Sequence, residues 1–116
     1  MARPKQQLQE RRGEHRTEVH RVMNVTDANN GSVIGQLVNL SHDGLMLVSA
    51  TPFEAGAVLQ LWVPLPDSPE GDSSILVGVE SLWCQDANDT GAFWTGFHII
   101  DISPDDQARL NQVTGA

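Results

Sequence analysis

The chain has 116 residues, 40% of them hydrophobic and 5% aromatic, a length and composition that hold one folded domain with a modest core and not two. Its apolar runs are too short for a membrane-spanning helix, and its single cysteine, Cys84, excludes an internal disulfide or a cysteine metal cluster. The net charge of −8 describes an acidic protein, which argues against general binding to DNA or RNA.

That charge is unevenly distributed from the first residues onward. Residues 1–21 hold six of the seven basic residues against three acidic ones, giving +3. Residues 22–116 hold Arg109 alone against twelve acidic residues, giving −11. A basic strip on an acidic body is suited to a small, compact anion; the plain alternative is a solvated tail. Met1 to Gln7 is basic but has no apolar run behind it, so it is not a secretory signal, and a cytoplasmic location is expected. Residues 1–16 contain almost nothing to bury and are expected to form a flexible segment, with the folded domain spanning 17–116.

From Thr17 the pattern is strand after strand. Val19, Met23 and Val25 share a face of a first strand, and Asn29-Asn30-Gly31 reads as a hairpin turn. Val33 to Leu40 makes a second strand, His42-Asp43-Gly44 a turn, and Leu45 to Val48 a third strand. Thr51 to Gly56 is a loop, and Val58 to Val63 is a fourth strand. The polar stretch Pro64 to Ser74 is a long loop before a fifth strand, Ile75 to Trp83. Asp86 to Gly91 turns into a sixth strand, Phe93 to Ile99. Period-two alternation with turns at short intervals indicates an antiparallel barrel or sandwich. Ser103-Pro104-Asp105-Asp106 then has the signature of a helix start, with Leu110 and Val113 as its apolar stripe and Gly115 as its stop. The predicted fold is all-β: a six-stranded antiparallel barrel followed by a short C-terminal α-helix.

No catalytic constellation is present in this sequence. The four histidines are dispersed, and there is no nucleophile elbow, Walker loop or dinucleotide fingerprint. His42 directly follows Ser41, so on a strand the two face opposite sides, a poor geometry for a nucleophile and its base. The chain is expected to be a binding protein, not an enzyme, with no metal and no cofactor.

Two motifs carry the functional reading. Arg12 and Arg16 form Arg-x-x-x-Arg within the basic segment; on a helix they would share a face, although Gly13 and the early strand favour an irregular lead-in. Asn39-Leu40-Ser41-His42-Asp43-Gly44 forms [Asp/Asn]-x-Ser-x-x-Gly. Asn30 to Gly35 fits the same pattern but begins in a hairpin turn and puts Gly35 inside a strand, where nothing calls for it. The later copy ends a strand at Ser41 and places Gly44 where positive φ is useful.

Together these residues resemble the signature of the PilZ family of cyclic di-GMP receptors: Arg-x-x-x-Arg in an N-terminal segment, one strand and its return, then [Asp/Asn]-x-Ser-x-x-Gly. The 22 residues between Arg16 and Asn39 leave room for that strand and turn. Val79 to Trp83 and Thr95-Gly96-Phe97 are similar to the family's fifth and sixth strands. The resemblance implies a six-stranded barrel and a ligand site in which Arg12 and Arg16 grip guanine edges and phosphates. It implies further that Asn39 reaches a guanine edge, that Ser41 bonds near a phosphate or base, and that Gly44 shapes the turn. Arginine suits this ligand because its planar fork matches the adjacent O6 and N7 acceptors of guanine and its face stacks on a purine. Arg11, just before the first motif arginine, implies two cyclic di-GMP molecules per chain, since a family member with arginine there goes with two ligands. The ligand implies an effector protein as partner, unidentified by the sequence, while the oligomeric state stays open. Two other readings are a PilZ-fold adaptor in motility or pilus assembly that binds no nucleotide, and a small oligonucleotide-binding barrel. The last needs exposed aromatics on a basic face.

Overall fold

The computed structural model describes residues 16–66 and 73–115. Its strands are β1 (Thr17–Glu18), β2 (Asn24–Asp27), β3 (Val33–Leu40), β4 (Gly44–Ser49), β5 (Val58–Pro64), β6 (Ser74–Asp86) and β7 (Phe93–Ile102), followed by the helix α1 (Pro104–Thr114). β2, β3, β4, β7, β6 and β5 pair antiparallel in that order, and β5 returns to β2. Six strands therefore close into a barrel, and the seventh, β1, lies along β3.

Alternation sets what fills the barrel. Leu45 and Leu47 on β4, Leu61 and Val63 on β5, Ile75, Val77 and Val79 on β6, and Phe97 and Ile99 on β7 point inward and are buried. Each such side chain contributes about 1.5–3 kcal/mol relative to exposure. Phe53, in the loop after β4, meets Phe97 edge-on with ring centroids 5.4 Å apart. Buried Ser81 holds that loop: its hydroxyl donates to the Glu54 carbonyl and accepts from the Ala57 N–H at 3.0 Å.

The helix forms as its residues dictate. Ser103 caps it by accepting from Asp106 N–H, Pro104 occupies the first turn, and Gly115 ends it in the left-handed region at φ 75°. Leu110 is fully buried, Val113 packs against the core, and Thr114, which carries no hydrophobic signal, is buried as well with its hydroxyl on the Leu110 carbonyl. The Asp106 carboxylate accepts the Leu76 N–H at 3.1 Å, so the helix start covers a donor on β6 just beyond the residues paired with β7.

Three expectations change. The first strand divides into β1 and β2, both on the same edge of β3. Thr17 and Glu18 face Leu40 and Asn39, Val19 N–H bonds Val38 O, Met23 O accepts from Leu37 N–H, and Asn24 faces Gln36. His20, Arg21 and Val22 bulge outward between them, exposed. Val19, Met23 and Val25 still face the core, which is what alternation reports; it does not report ladder partners.

Gly44 does not adopt positive φ, unlike Gly31, Gly56, Gly91 and Gly115. It is required for a different reason, since a Cβ there would stand 2.8 Å from the Phe97 carbonyl oxygen of the neighbouring strand. Gly35 does have a structural reason too: its Cβ would stand 2.9 Å from the Val48 carbonyl oxygen. The Asn30 copy of the motif is thus a real turn for the β2–β3 hairpin and a real close approach of β3 to β4. Asn30 Oδ1 accepts from both the N–H and the hydroxyl of Ser32.

Candidate functional site

The β1–β3 register builds the site. With Thr17 opposite Leu40, the preceding Arg16 arrives beside Ser41 at the end of β3. Its Nε donates to Asn39 Oδ1 and its Nη1 to Ser41 Oγ, each at 3.1 Å. One planar guanidinium therefore bridges the two side chains that begin and centre the second motif, a geometry a lysine ammonium cannot reproduce. Arg16 itself is exposed, Asn39 is 9% exposed, and Ser41 is fully buried beneath it.

The turn that follows is tied on every side. Ser41 N–H donates to Gly44 O at 2.9 Å, and the Ser41 hydroxyl lies 3.1 Å from Asp43 Oδ1 and 3.3 Å from Gly44 O, donating its one proton to either. Asp43 O accepts from Ile99 N–H on β7, and His42 O accepts from the Gln107 side chain on α1. The bare Gly44 lets β7 approach. Asn39 and Ser41 thus seat Arg16, while Asp43 and Gly44 anchor the turn.

The outer wall continues from Asn39 across three more strands. Asn39 Nδ2 approaches Met46 Sδ at 3.6 Å; Met46 pairs with Gly96 on β7, and Gly96 pairs with Trp83 on β6. The Trp83 indole lies over Gly96 so closely that a Cβ there would stand 2.5 Å from Cε2 and 2.8 Å from Cζ2. At 43% exposure it presents a flat apolar surface to solvent. Trp83 was not among the expected site residues. A glycine in mid-strand at Gly96 is the signal for close approach, but only the β6–β7 register identifies what approaches it.

Arg16, Asn39, Ser41 and Gly44 are thus brought together, while Arg11 and Arg12 lie outside the described residues. Among the described residues no cluster of three His, Cys, Asp or Glu side chains could hold a metal ion, and no helix is long and apolar enough to cross a membrane.

Fold and turn together define a class: a small antiparallel barrel with a C-terminal helix and an arginine-bridged polar turn on its outer wall. The chain belongs to the PilZ domain family, whose family model matches residues 10–116. Among solved structures it is similar to the Bacillus subtilis inhibitor of motility MotI/DgrA, with a TM-score of 0.74 and 22% identity over 90% of this chain. The chain spans about half of that protein, 49% of its length. It is also similar to the PilZ domain of YcgR from Escherichia coli, a structure with c-di-GMP, with a TM-score of 0.65 and 15% identity over 91% of this chain and 90% of that one. No curated protein matches it by sequence.

Proposed function

We propose that this protein is a cyclic di-GMP receptor that acts by binding, without chemistry of its own, and relays ligand occupancy to an effector protein. The observation that carries the reading is Arg16, whose fork bridges Asn39 and Ser41 in a chain of the PilZ family. The E. coli neighbour of the same fold, solved with c-di-GMP, supports the choice of ligand.

The ligand's two phosphates and two guanine edges call for cations with planar donors, and its bases call for a flat surface. Arg12 and Arg16 supply the cations and Asn39 a polar edge. Ser41, with no exposed surface, contributes by fixing Arg16 and the turn. Trp83 offers its exposed indole to a guanine on the same wall. The residues before Arg16 would close over the ligand, which accounts for a basic segment on an acidic barrel.

Isothermal titration of the full chain tests this. Saturable, salt-sensitive binding of cyclic di-GMP is expected, with GMP much weaker; heat no greater than that given by GMP overturns it and leaves a PilZ-fold adaptor that needs no nucleotide. Two ligands per chain are expected, because stacked ligand pairs concentrate four phosphate charges and Arg11 adds a third cation beside Arg12 and Arg16. The ratio should fall to one in Arg11→Leu. A ratio of one in the unmodified chain rejects the role of Arg11 alone.

A further inference from the structure

The side of the barrel formed by β5 and the first half of β6 carries a second surface, distinct from the arginine-bridged turn. Trp62 on β5 pairs with Leu76 on β6, and both point outward, 44% and 37% exposed. One row further along, Gln60 pairs with Gly78, and Gly78 pairs with Asp101 on β7. Gly78 has no side chain to fill the space between them, and a Cβ there would crowd Asp101 Cβ at 3.0 Å and Gln60 Nε2 at 3.2 Å. The result is a groove of about 460 Å³ between the sheet and the start of α1, with Leu76, Pro104, Asp101 and Asp106 in its lining.

Exposed tryptophan beside an apolar neighbour has the composition of an interface anchor. The charge around it selects the occupant. Asp101 is exposed, and no side-chain partner of it occurs among the described residues. Asp105 and Asp106 open the helix, and Glu80 stands one row away opposite Val58. Arg109, the one basic residue after Arg21, is already engaged with Asp106 and the Ser74 carbonyl. A second copy placed on this groove about a two-fold axis would bring together two surfaces that each carry the exposed Asp101, on chains that are each net −8. A phosphate-bearing ligand meets the same repulsion.

We propose that this groove docks a protein partner that places a lysine or arginine beside Asp101 while an adjacent apolar side chain packs on Trp62 and Leu76. The position suits a receptor. Asp106, at the groove, and Gln107, which holds the His42 carbonyl of the motif turn, are consecutive residues of one helix. Partner surface and turn are therefore attached to the same turn of α1.

The test uses isotope-labelled full-length protein and a synthetic peptide of alternating leucine and arginine, with a leucine–glutamate peptide as control. The three tryptophan indole N–H signals report on Trp62, Trp83 and Trp94 separately. Saturable shifts at the Trp62 indole and at the amides of residues 76–78 and 101–106 are expected with the arginine peptide and not with the glutamate peptide. Trp62→Ala and Asp101→Asn, both at exposed positions, should each weaken binding about tenfold. Shifts as large at Trp83 and Trp94, or unchanged affinity in both variants, overturn the proposal. So does concentration-dependent dimerisation of the free chain that Trp62→Ala abolishes, which would make a second copy the occupant.

Discussion

The side-chain amide of Gln107 donates to the main-chain carbonyl of His42 at 2.9 Å, joining α1 to the motif turn across 65 residues of sequence. The same nitrogen reaches Asn111 Oδ1 at 2.8 Å, one helical turn on, so the amide is oriented by its own helix. Removing it leaves the His42 oxygen without this partner, in a turn that also holds Ser41 and, through it, Arg16. Gln107→Leu should therefore cost about 1 kcal/mol of stability by urea denaturation. It should also lower cyclic di-GMP affinity by less than loss of Arg16 does. Affinity equal to that of the unmodified chain would mean that the turn holds its shape without the helix.

Arg16 is the residue whose loss should be felt most directly at the site. Arg16→Ala should lose about 1.5–3 kcal/mol of binding, the range for charge-assisted hydrogen bonds. The fold should survive, because Arg16 precedes β1 and its side chain lies on the surface. Arg16→Lys keeps the charge but cannot span Asn39 and Ser41 with one planar group, so it should recover only a small part of the loss. Full recovery by lysine, read by titration calorimetry, would reduce Arg16 to a point charge.

The two copies of the Asn-x-Ser-x-x-Gly pattern provide an internal control. Ser41 is fully buried and its hydroxyl sits among Arg16, Asp43 and Gly44, whereas Ser32 is exposed and its hydroxyl donates to Asn30. Ser41→Ala should cost about 1–2 kcal/mol of stability, the usual penalty for breaking a buried hydroxyl network, and should weaken cyclic di-GMP binding as Arg16 loses a partner. Ser32→Ala should leave affinity unchanged and stability within about 0.5 kcal/mol. Equal effects on affinity at the two serines would mean that the site has been placed on the wrong turn.

How much of this was legible in the sequence follows from what each signal encodes. Alternation reports which face a side chain takes, so the inward Leu45, Leu47, Val77, Val79 and Phe97 and the number of barrel strands could be read directly. Caps and turn residues are local, so Ser103, Pro104, Gly31 and Gly115 declared the helix and the first hairpin. Register is not local. The bulge at His20 to Val22, the approach of Phe97 to Gly44, and the Gln107–His42 bond each depend on which residue a neighbouring strand or helix sets opposite. Glycine illustrates the limit: Gly44 was expected to serve backbone conformation and instead serves clearance, two demands that look the same in a sequence. The Arg-x-x-x-Arg and Asn-x-Ser-x-x-Gly spacings nominated Arg16, Asn39 and Ser41, but their arrangement as one bridge comes from the pairing of Thr17 with Leu40.

Trp83 gives the last prediction, because its indole and Gly96 share one space. Alanine at position 96 would place a methyl group inside the ring's present position, against Cε2 and Cζ2. The ring is 43% exposed and can swing outward, so the fold should survive at a cost of about 1–3 kcal/mol, typical of overpacking. The flat surface over Gly96 would be lost. If a guanine stacks on that surface, Gly96→Ala should reproduce the binding defect of Trp83→Ala, about 1–3 kcal/mol for one base–aromatic stack. Trp83→Phe, which keeps a smaller flat ring, should lose less. Ligand-induced change in the Trp83 indole N–H signal should vanish in Gly96→Ala although the tryptophan is still present. Equal affinities for the unmodified chain, Trp83→Ala and Gly96→Ala would remove Trp83 from the site and leave the ligand to the arginines and the motif turn.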